Sequence, residues 1–467
     1  MSKKFDITIL GGGPGGYVAA IRAAQLGFNT AIIEKEKLGG ICLNWGCIPT
    51  KSLLKNAEVY DSIKNHAEEF GIKVEGVSFD FGKIIKRSRD VSTKITRGVE
   101  FLMKKNKVNY IKGFGKFIAK NKIEVLDTEG KKTDEIESEK IIIATGAHPK
   151  IFPNIPVDRK NIITSTEAMT LTSQPKDLII IGAGAIGVEF AYFYNSLGTK
   201  VTIIEMLDSI LPVEDREISK LLESNFKKRG IEIHTSTAVK KAEIIDGSVK
   251  VTIEKDGKVS ELHAEKVLSA IGVAGNTDGY GLHELGIEIE KAHIKVDKND
   301  YQTNIKNIFA IGDVIGPPWL AHVASAEGIY CVEKIKGLNP AKIDYDSIPG
   351  CTYCQPQVAS IGLTEEKAKS FGIEYKVGKF PFMASGKSAA IGEREGFVKI
   401  LFGEKYGEII GAHIIGAEAT ELIAEIGIAK SLEATYETIV KTIHAHPTLS
   451  ESIMEAAANA YGESIHI

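Results

Sequence analysis

Two glycine-rich turns set at matched spacing constrain this chain more than any other feature. Residues 5–10, FDITIL, are a short apolar run rich in β-branched residues. They lead into GGGPGG, then the helix-like YVAAIRAAQLG, then TAIIE. Strand, glycine turn, helix and strand make one βαβ unit. The pattern returns as LIII (178–181), GAGAIG, VEFAYFYNSLG and KVTIIE. In each copy an acid, Glu34 or Glu205, follows the first glycine by 23 residues. The repeat predicts an α/β chain with two doubly wound, Rossmann-like nucleotide-binding domains, or one inserted within the other.

The residue types fit that chemistry. In Gly11, Gly13 and Gly16 the first glycine permits a tight turn, the second admits a pyrophosphate, and the third lets helix and strand pack. The helix start offers N–H groups to phosphate oxygens. Glu34 ends the next strand, where a carboxylate accepts from a ribose hydroxyl. Gly182, Gly184, Gly187 and Glu205 repeat the argument. A carboxylate at that place favours NAD over NADP, and the next basic residue, Arg216, lies far along the chain.

The remaining segments set the domain plan. IIIATGAHP (141–149) reads as a buried strand closing on a turn, and VLSAIG (267–272) gives the second unit a similar ending. IFAIGDV (308–314) is a further strand that returns the chain to the first sheet. From about Ile348 the texture becomes α+β, with strands GFVKILF and EIIGAHIIG and a helix around TELIAEIGIAKSLEA. The expected division is 1–147 and 275–346 for the first nucleotide domain, 148–274 for the second, and 347–467 for the C-terminal domain. A net charge of −3 gives no reason to expect nucleic acid or an anionic membrane as partner. No stretch approaches the roughly 20 apolar residues that span a bilayer, and the start lacks the apolar core of a secretory signal. The expected place is the cytoplasm, or an organellar matrix for a mature form.

Five cysteines are far too few for a disulfide scaffold in a chain of 467 residues. Cys42 and Cys47, in LGGICLNWGCIPTKSLL, form a close pair of the kind that does redox chemistry or binds metal in a reducing compartment. Pro49 suits the first turn of a helix, which puts Cys47 at a helix N-terminus that stabilises a thiolate. Lys51 follows on the same face. Cys42 would stand about 140° from Cys47 on a regular helix, so it is expected in the preceding loop. The alternatives are buried thiols or half of a zinc site, which would want two further ligands; no metal is expected. Cys351 and Cys354 sit in an apparent strand, where residues three apart face opposite ways, and read as half-buried thiols. Cys331 reads as core.

Near the other end is HAHPTLSE. Thr448 and Glu451 fit a capping box for the final helix. Equally, Glu451 can orient the imidazole of His446 and leave it a general base, with His444 as competitor.

Taken in order, GGGPGGYVAA, LGGICLNWGCIPTKSLL, ATG, GAGAIGVEFA, IFAIGDV and AHPTLSE resemble the pyridine nucleotide–disulfide oxidoreductase family over essentially the whole chain. The resemblance implies FAD on the first glycine motif, with Gly11, Gly13, Gly16 and Glu34 holding its adenosine half. It implies Asp313 on the ribityl chain, Ala321 near the flavin ring, and Gly115, Thr145 and Gly146 among the flavin contacts. Lys51 and Glu189 match a charged pair beside the reactive ring nitrogen; the plainer reading is two helix-surface charges. NAD falls to Gly182, Gly184, Gly187, Glu189, Glu205 and Gly272. The C-terminal domain becomes a dimerisation domain, and the active site of a homodimer is completed by His446 and Glu451 of the partner subunit.

Within the family the motifs are most similar to the branch that oxidises protein-bound dihydrolipoamide with NAD⁺. That implies an enzyme partnered by lipoyl domains of an acyltransferase core or by a lipoyl carrier protein. Members that reduce glutathione, trypanothione or mercuric ion share the fold and the C-x₄-C spacing. Glu205 argues for NAD, and mercuric reductases carry a later cysteine pair where this chain has none beyond Cys354. One stretch departs from the family: Gly272-Val273-Ala274-Gly275-Asn276 stands where glycine, arginine, any residue, proline and asparagine are usual.

Overall fold

The structure, a computed structural model, describes residues 3–467. It separates into two compact units, each built from three chain segments. Among the described residues, those up to 52 with 83–150 and 272–343 form the first; residues 53–82, 151–271 and 344–467 form the second.

Among the described residues of the first unit is a seven-stranded sheet. Strands Asn109–Lys112, Thr30–Glu34, Lys3–Leu10 and Lys132–Ile143 lie side by side in parallel. Lys122–Leu126 and Phe114–Ala119 continue the sheet as an antiparallel meander. Ile308–Ala310 pairs with the end of Lys132–Ile143, so IFAIGDV does return to the first sheet. Two apolar clusters flank the sheet. Ile7 and Ile9 pack with Ala19, Ala20 and Ala23 of the helix Pro14–Gln25 on one face. Leu10, Ile33, Ile123 and Ile143 fill the other. Burial on both faces explains why the parallel strands read as continuous apolar runs.

The second unit holds two large sheets and a small antiparallel one. The parallel sheet runs Glu232–His234, Lys200–Ile204, Asp177–Ile181, Lys266–Ser269, Ile162–Ile163. The C-terminal sheet is antiparallel throughout, in the order Gly350–Thr352, Gln357–Gly362, Ile409–Gly416, Phe397–Gly403, Tyr375–Pro381. The helices Ala419–Ser431 and Glu451–Asn459 cover it through Ile423, Ile426, Ile453 and Ala456.

The sequence reading passed over the 25-residue helix Phe81–Lys105. Its buried positions are Ile85, Ser88, Ser92, Thr96, Val99 and Met103. The helical spacing is there, but three of those six are hydroxyls, so an apolar pattern alone does not reveal it. Among the described residues, no helix is long and apolar enough to cross a membrane.

Candidate active site

The two glycine turns are built alike. A side chain on Gly11 would meet the Ala144 oxygen at 2.2 Å, and one on Gly16 the Gly11 oxygen at 1.9 Å. Gly182 and Gly187 would likewise meet the Ala270 oxygen at 2.5 Å and the Gly182 oxygen at 2.0 Å. The outer glycines of each motif are therefore demanded by the protein's own packing. The middle ones are not. At Gly13 the nearest atom is 4.0 Å away, and at Gly184 nothing lies within 4 Å. These are the positions where backbone is left open to a ligand, at the starts of helices that no side chain caps.

The acids match too. Glu34 accepts the N–H of Gly12 on Oε2 and of Glu36 on Oε1, both at 2.7 Å. Glu205 accepts the N–H of Ala183 at 2.7 Å and of Leu207 at 2.8 Å. Each carboxylate thus braces the residue after the first glycine of its turn. Burial raises the pKa of Glu34 despite those two N–H donors. The donor set and the open middle glycines fit FAD on the first motif and NAD on the second.

Cys42 and Cys47 lie on two consecutive helices, Gly40–Trp45 and Cys47–Asp61. The expectation of a loop at Cys42 is corrected. Gly39 and Gly40 take φ of +91° and +54°, which turns the chain into a short helix directly after the strand region. Gly39 donates to the Gly12 oxygen at 2.7 Å, and a side chain on Gly40 would strike Gly13 Cα at 2.7 Å. The cysteine segment is thereby packed onto the first glycine turn. Gly46 breaks the helix and restarts it at Cys47, with Thr50 bonded to the Gly46 oxygen through N–H and hydroxyl.

Asn44, which sequence reasoning missed, fastens this segment. It is buried between the cysteines, donates to the oxygens of Leu38 and Gly40, and accepts from the Thr96 hydroxyl. Arg89 donates to its backbone oxygen at 2.7 Å. The only sequence signal was a polar residue on an otherwise apolar turn.

Both cysteines are thiols in the structure, and they are unequal. Cys42 is hydrogen-bonded to Cys47. That bond, then burial, then the charge on Cys47 push the Cys42 pKa far above the usual thiol range, while Lys51 pulls weakly the other way.

Other expected flavin contacts lie in the first unit. Gly115 is in the sheet core, where a side chain would run into Leu10 Cδ2 at 2.6 Å. Thr145 donates its hydroxyl to the Asn276 oxygen at 2.8 Å, and Asn276 donates back to the Thr145 oxygen at 2.8 Å. Gly146, at φ +72°, accepts the Asn276 N–H at 2.9 Å. Asp313 follows Ile308–Ala310 on a short turn, where burial and the nearby Glu327 raise its carboxyl to about 6. Glu327, buried and absent from the sequence reading, accepts the Gly312 N–H at 2.7 Å. Ala321 opens a helix that no side chain caps.

The departure from the family pattern has a defined path. Val273–Gly275 pairs antiparallel with Ala147–Pro149, and Gly272 accepts the Lys150 N–H at 3.0 Å. Gly275 donates to the Ala292 oxygen at 3.1 Å, and a side chain there would meet that oxygen at 2.5 Å. Proline has no such donor and needs that space.

In the second unit Glu189 lies buried on the helix Ala185–Ser196 and accepts the Tyr353 N–H at 3.0 Å. It is not a surface charge. His446 bonds through Nδ1 to Glu451 Oε1 at 2.9 Å, with its side chain 80 % exposed. Glu451 also accepts the Thr448 N–H at 2.8 Å. Burial works against its charge, but those two partners hold Glu451 below the usual carboxylate range. The capping and orienting readings of Glu451 therefore coexist on its two oxygens. The full capping box does not form: Ser450 is the N-cap, and the Thr448 hydroxyl donates to the Ala445 oxygen instead. His444 is bound to Glu425 at 2.8 Å.

Cys351 and Cys354 do not share one strand. Gly350–Thr352 ends between them, and Cys354 sits buried in the bend before Gln357–Gly362. Directly after the first strand, Tyr353 gives its N–H to Glu189. Cys331 is buried in the helix Ala321–Ile335, as expected.

Comparison with known proteins bears on the whole chain. Residues 5–328 match the model of the pyridine nucleotide-disulphide oxidoreductase family, and residues 348–457 match that family's dimerisation domain. The chain is 48 % identical to a protein named dihydrolipoyl dehydrogenase from Rhizobium etli, covering 100 % of both chains. Proteins of that name from Zymomonas mobilis and Bacillus subtilis are 47 % and 46 % identical, again at 100 % coverage of both. Among solved structures, LpdA from Mycobacterium tuberculosis superposes with a TM-score of 0.90 at 27 % identity, covering 97 % of this chain and 98 % of that one. The flavoprotein disulfide reductase RclA from Escherichia coli gives 0.85 at 26 % identity, covering 97 % and 99 %. On residues and fold alike, the chain belongs to the pyridine nucleotide–disulphide oxidoreductase family.

Proposed function

We propose that this chain oxidises dihydrolipoamide to lipoamide with NAD⁺ as final acceptor, the activity for which its full-length relatives are named. The observation that carries the reading is the placement of the two cysteines: Cys42 and Cys47 are free thiols on consecutive helices whose segment is packed onto the first glycine turn.

The residues divide the work. His446 of the partner subunit, held by Glu451, takes a proton from one thiol of the substrate. The resulting thiolate attacks Cys42 Sγ of the oxidised pair, the Cys42–Cys47 bond breaks, and Cys47 leaves as thiolate. The second substrate thiol then attacks the mixed disulfide, releasing cyclic lipoamide, and Cys42 takes up the proton. Lys51 follows one turn after Cys47 on the same helix, where its charge favours the thiolate. FAD, when bound, supplies a two-electron relay from the Cys47 thiolate to NAD⁺. Gly11, Gly13, Gly16, Glu34, Asp313 and the start of the helix at Ala321 would hold it. Gly182, Gly184, Gly187 and Glu205 would hold NAD, and the carboxylate of Glu205 disfavours the extra phosphate of NADP.

The proposal includes a homodimer, supported by the dimerisation-domain match. It places the enzyme in the cytoplasm, serving lipoyl domains of an acyltransferase core or a lipoyl carrier protein. The finer division proposed is FAD-binding in 1–147 and 275–346, NAD-binding in 148–274, and dimerisation in 347–467. A glutathione- or mercuric-type reductase is not favoured, given Glu205 and the names of the relatives. The test is the purified flavoprotein with free dihydrolipoamide, comparing NAD⁺ and NADP⁺ and, in reverse, lipoamide and glutathione disulfide. NAD⁺-selective turnover on the lipoyl substrate alone is expected; preference for NADPH and glutathione disulfide would sink the reading.

A further inference from the structure

One polar row crosses the antiparallel C-terminal sheet. Ser360, His413, Lys399 and Lys379 stand opposite one another on successive strands and so share a face. The start of the helix Arg216–Lys228 meets that row. Lys399, 1 % exposed, holds both oxygens of Asp215 at 3.0 Å, Glu217 at 2.8 Å and Glu365 at 2.6 Å. Lys379 holds Glu217 at 2.6 Å. Every carboxylate of this group has a cation except Glu214. The residue is half-buried, yet its Oε2 is shut off from solvent and accepts no hydrogen bond. Ser360 is bonded to the carboxyl, Gly350 lies beneath it, and the charges acting on it are Asp215 beside it and Lys367 on the helix Glu365–Ser370. His413 in the same row is buried, which lowers its pKa and favours the neutral ring.

The same stretch seats the second glycine turn. Glu214 donates its N–H to the Leu211 oxygen at 3.0 Å, and the Ser219 hydroxyl donates to that oxygen at 3.1 Å. Leu211 in turn donates to the oxygen of Ala183, inside GAGAIG, at 2.9 Å. Leu211 holds φ of +42°, a conformation that a non-glycine residue leaves when its bonds relax. Four residues therefore join a half-buried acid with one unpartnered oxygen to the turn read as the nucleotide cradle.

We propose that Glu214 is a positioning residue for the second nucleotide site: as the neutral acid it keeps residues 211–215 seated under Ala183, and loss of its proton loosens that seat and weakens nucleotide binding. The inference rests on reading the second glycine motif as the NAD site. Burial of the carboxyl, more than the charge of Asp215, raises its pKa to about 7. The sign follows. An acid whose pKa is raised in the seated form favours that form at low pH, and the advantage is lost as pH rises through that value. Between pH 6 and pH 8, local opening of the stretch should grow roughly tenfold.

Two measurements on the full-length flavoprotein test this. Hydrogen exchange of the peptide covering residues 211–222, corrected for the intrinsic rate, should show that roughly tenfold rise in the wild type and none in Glu214→Gln. ADP-ribose affinity by calorimetry should fall over the same interval in the wild type and stay level in Glu214→Gln. Exchange independent of pH in the wild type overturns the proposal, as does a variant that keeps the wild-type pH dependence. Exchange that responds without a change in affinity overturns the link to the nucleotide. Failure of ADP-ribose to bind at either pH overturns the reading of the motif as well, and the exchange result separates the two failures.

Discussion

Replacing Lys399 by methionine isolates a buried ion-pair cluster in the second unit. Its ammonium group touches three carboxylates, and Asp215 is as fully enclosed as the lysine itself, at 1 % exposure. Glu217 and Glu365 are 45 % and 24 % exposed and can turn to water. Asp215 cannot; it would keep only the N–H of Glu217, at 3.0 Å. An uncompensated buried charge of this kind costs about 3–5 kcal/mol. Protonation sets a ceiling, since neutralising an ordinary aspartic acid costs about 4 kcal/mol at pH 7 and about 1.5 kcal/mol at pH 5. The loss should therefore be about 4 kcal/mol at pH 7 and shrink on acidification. An exposed pair such as Lys441–Glu437, 75 % and 55 % exposed, is screened by water and contributes little at either pH. The assay is thermal unfolding of Lys399→Met against Lys441→Met at pH 7 and pH 5. A large gap at pH 7 that narrows at pH 5 is expected, with Lys399→Met plus Asp215→Asn recovering most of the loss. Equal midpoints for the two single variants at pH 7 would refute the reasoning.

The other predictions bear on the site. Gly16→Ala should prevent FAD loading, because the new carbon would stand 1.9 Å from the Gly11 oxygen. Gly187→Ala should leave the flavin bound and abolish NAD⁺ reduction; absorbance spectra and turnover of the two variants separate the roles. Gly275→Pro, the residue usual in the family, should destabilise this chain by about 1–3 kcal/mol through the lost bond to Ala292, and an unchanged unfolding midpoint would contradict that. His446→Gln should slow the dihydrolipoamide half-reaction by about 10²–10⁴ in rapid mixing, and a normal rate would leave His446 only as a partner for the cap carboxylate.

Periodicity and glycine spacing made the architecture legible because they report on backbone. A helix start packed on a strand requires glycine at Gly11, Gly16, Gly182 and Gly187 whatever the ligand, so the motifs carried both fold and nucleotide chemistry. The helix status of Cys42 was hidden because it depends on Gly39 and Gly40 adopting left-handed backbone against Gly13, a contact across the chain. Asn44, Glu327 and the Lys399 cluster were invisible for the same reason. A single polar residue in an apolar run reads as exposed until its partners, tens or hundreds of residues away, are known. The change to α+β texture after Ile348 marked a C-terminal domain, yet it could not tell that Lys399 faces an enclosed row of acids.

The measurement that tests the central claim most directly is NADH formation from free dihydrolipoamide and NAD⁺ by Cys47→Ser carrying its full complement of FAD. If Cys42 and Cys47 form the working redox pair, the variant makes no NADH while its flavin spectrum shows the cofactor in place. Wild-type turnover by that variant would contradict the account.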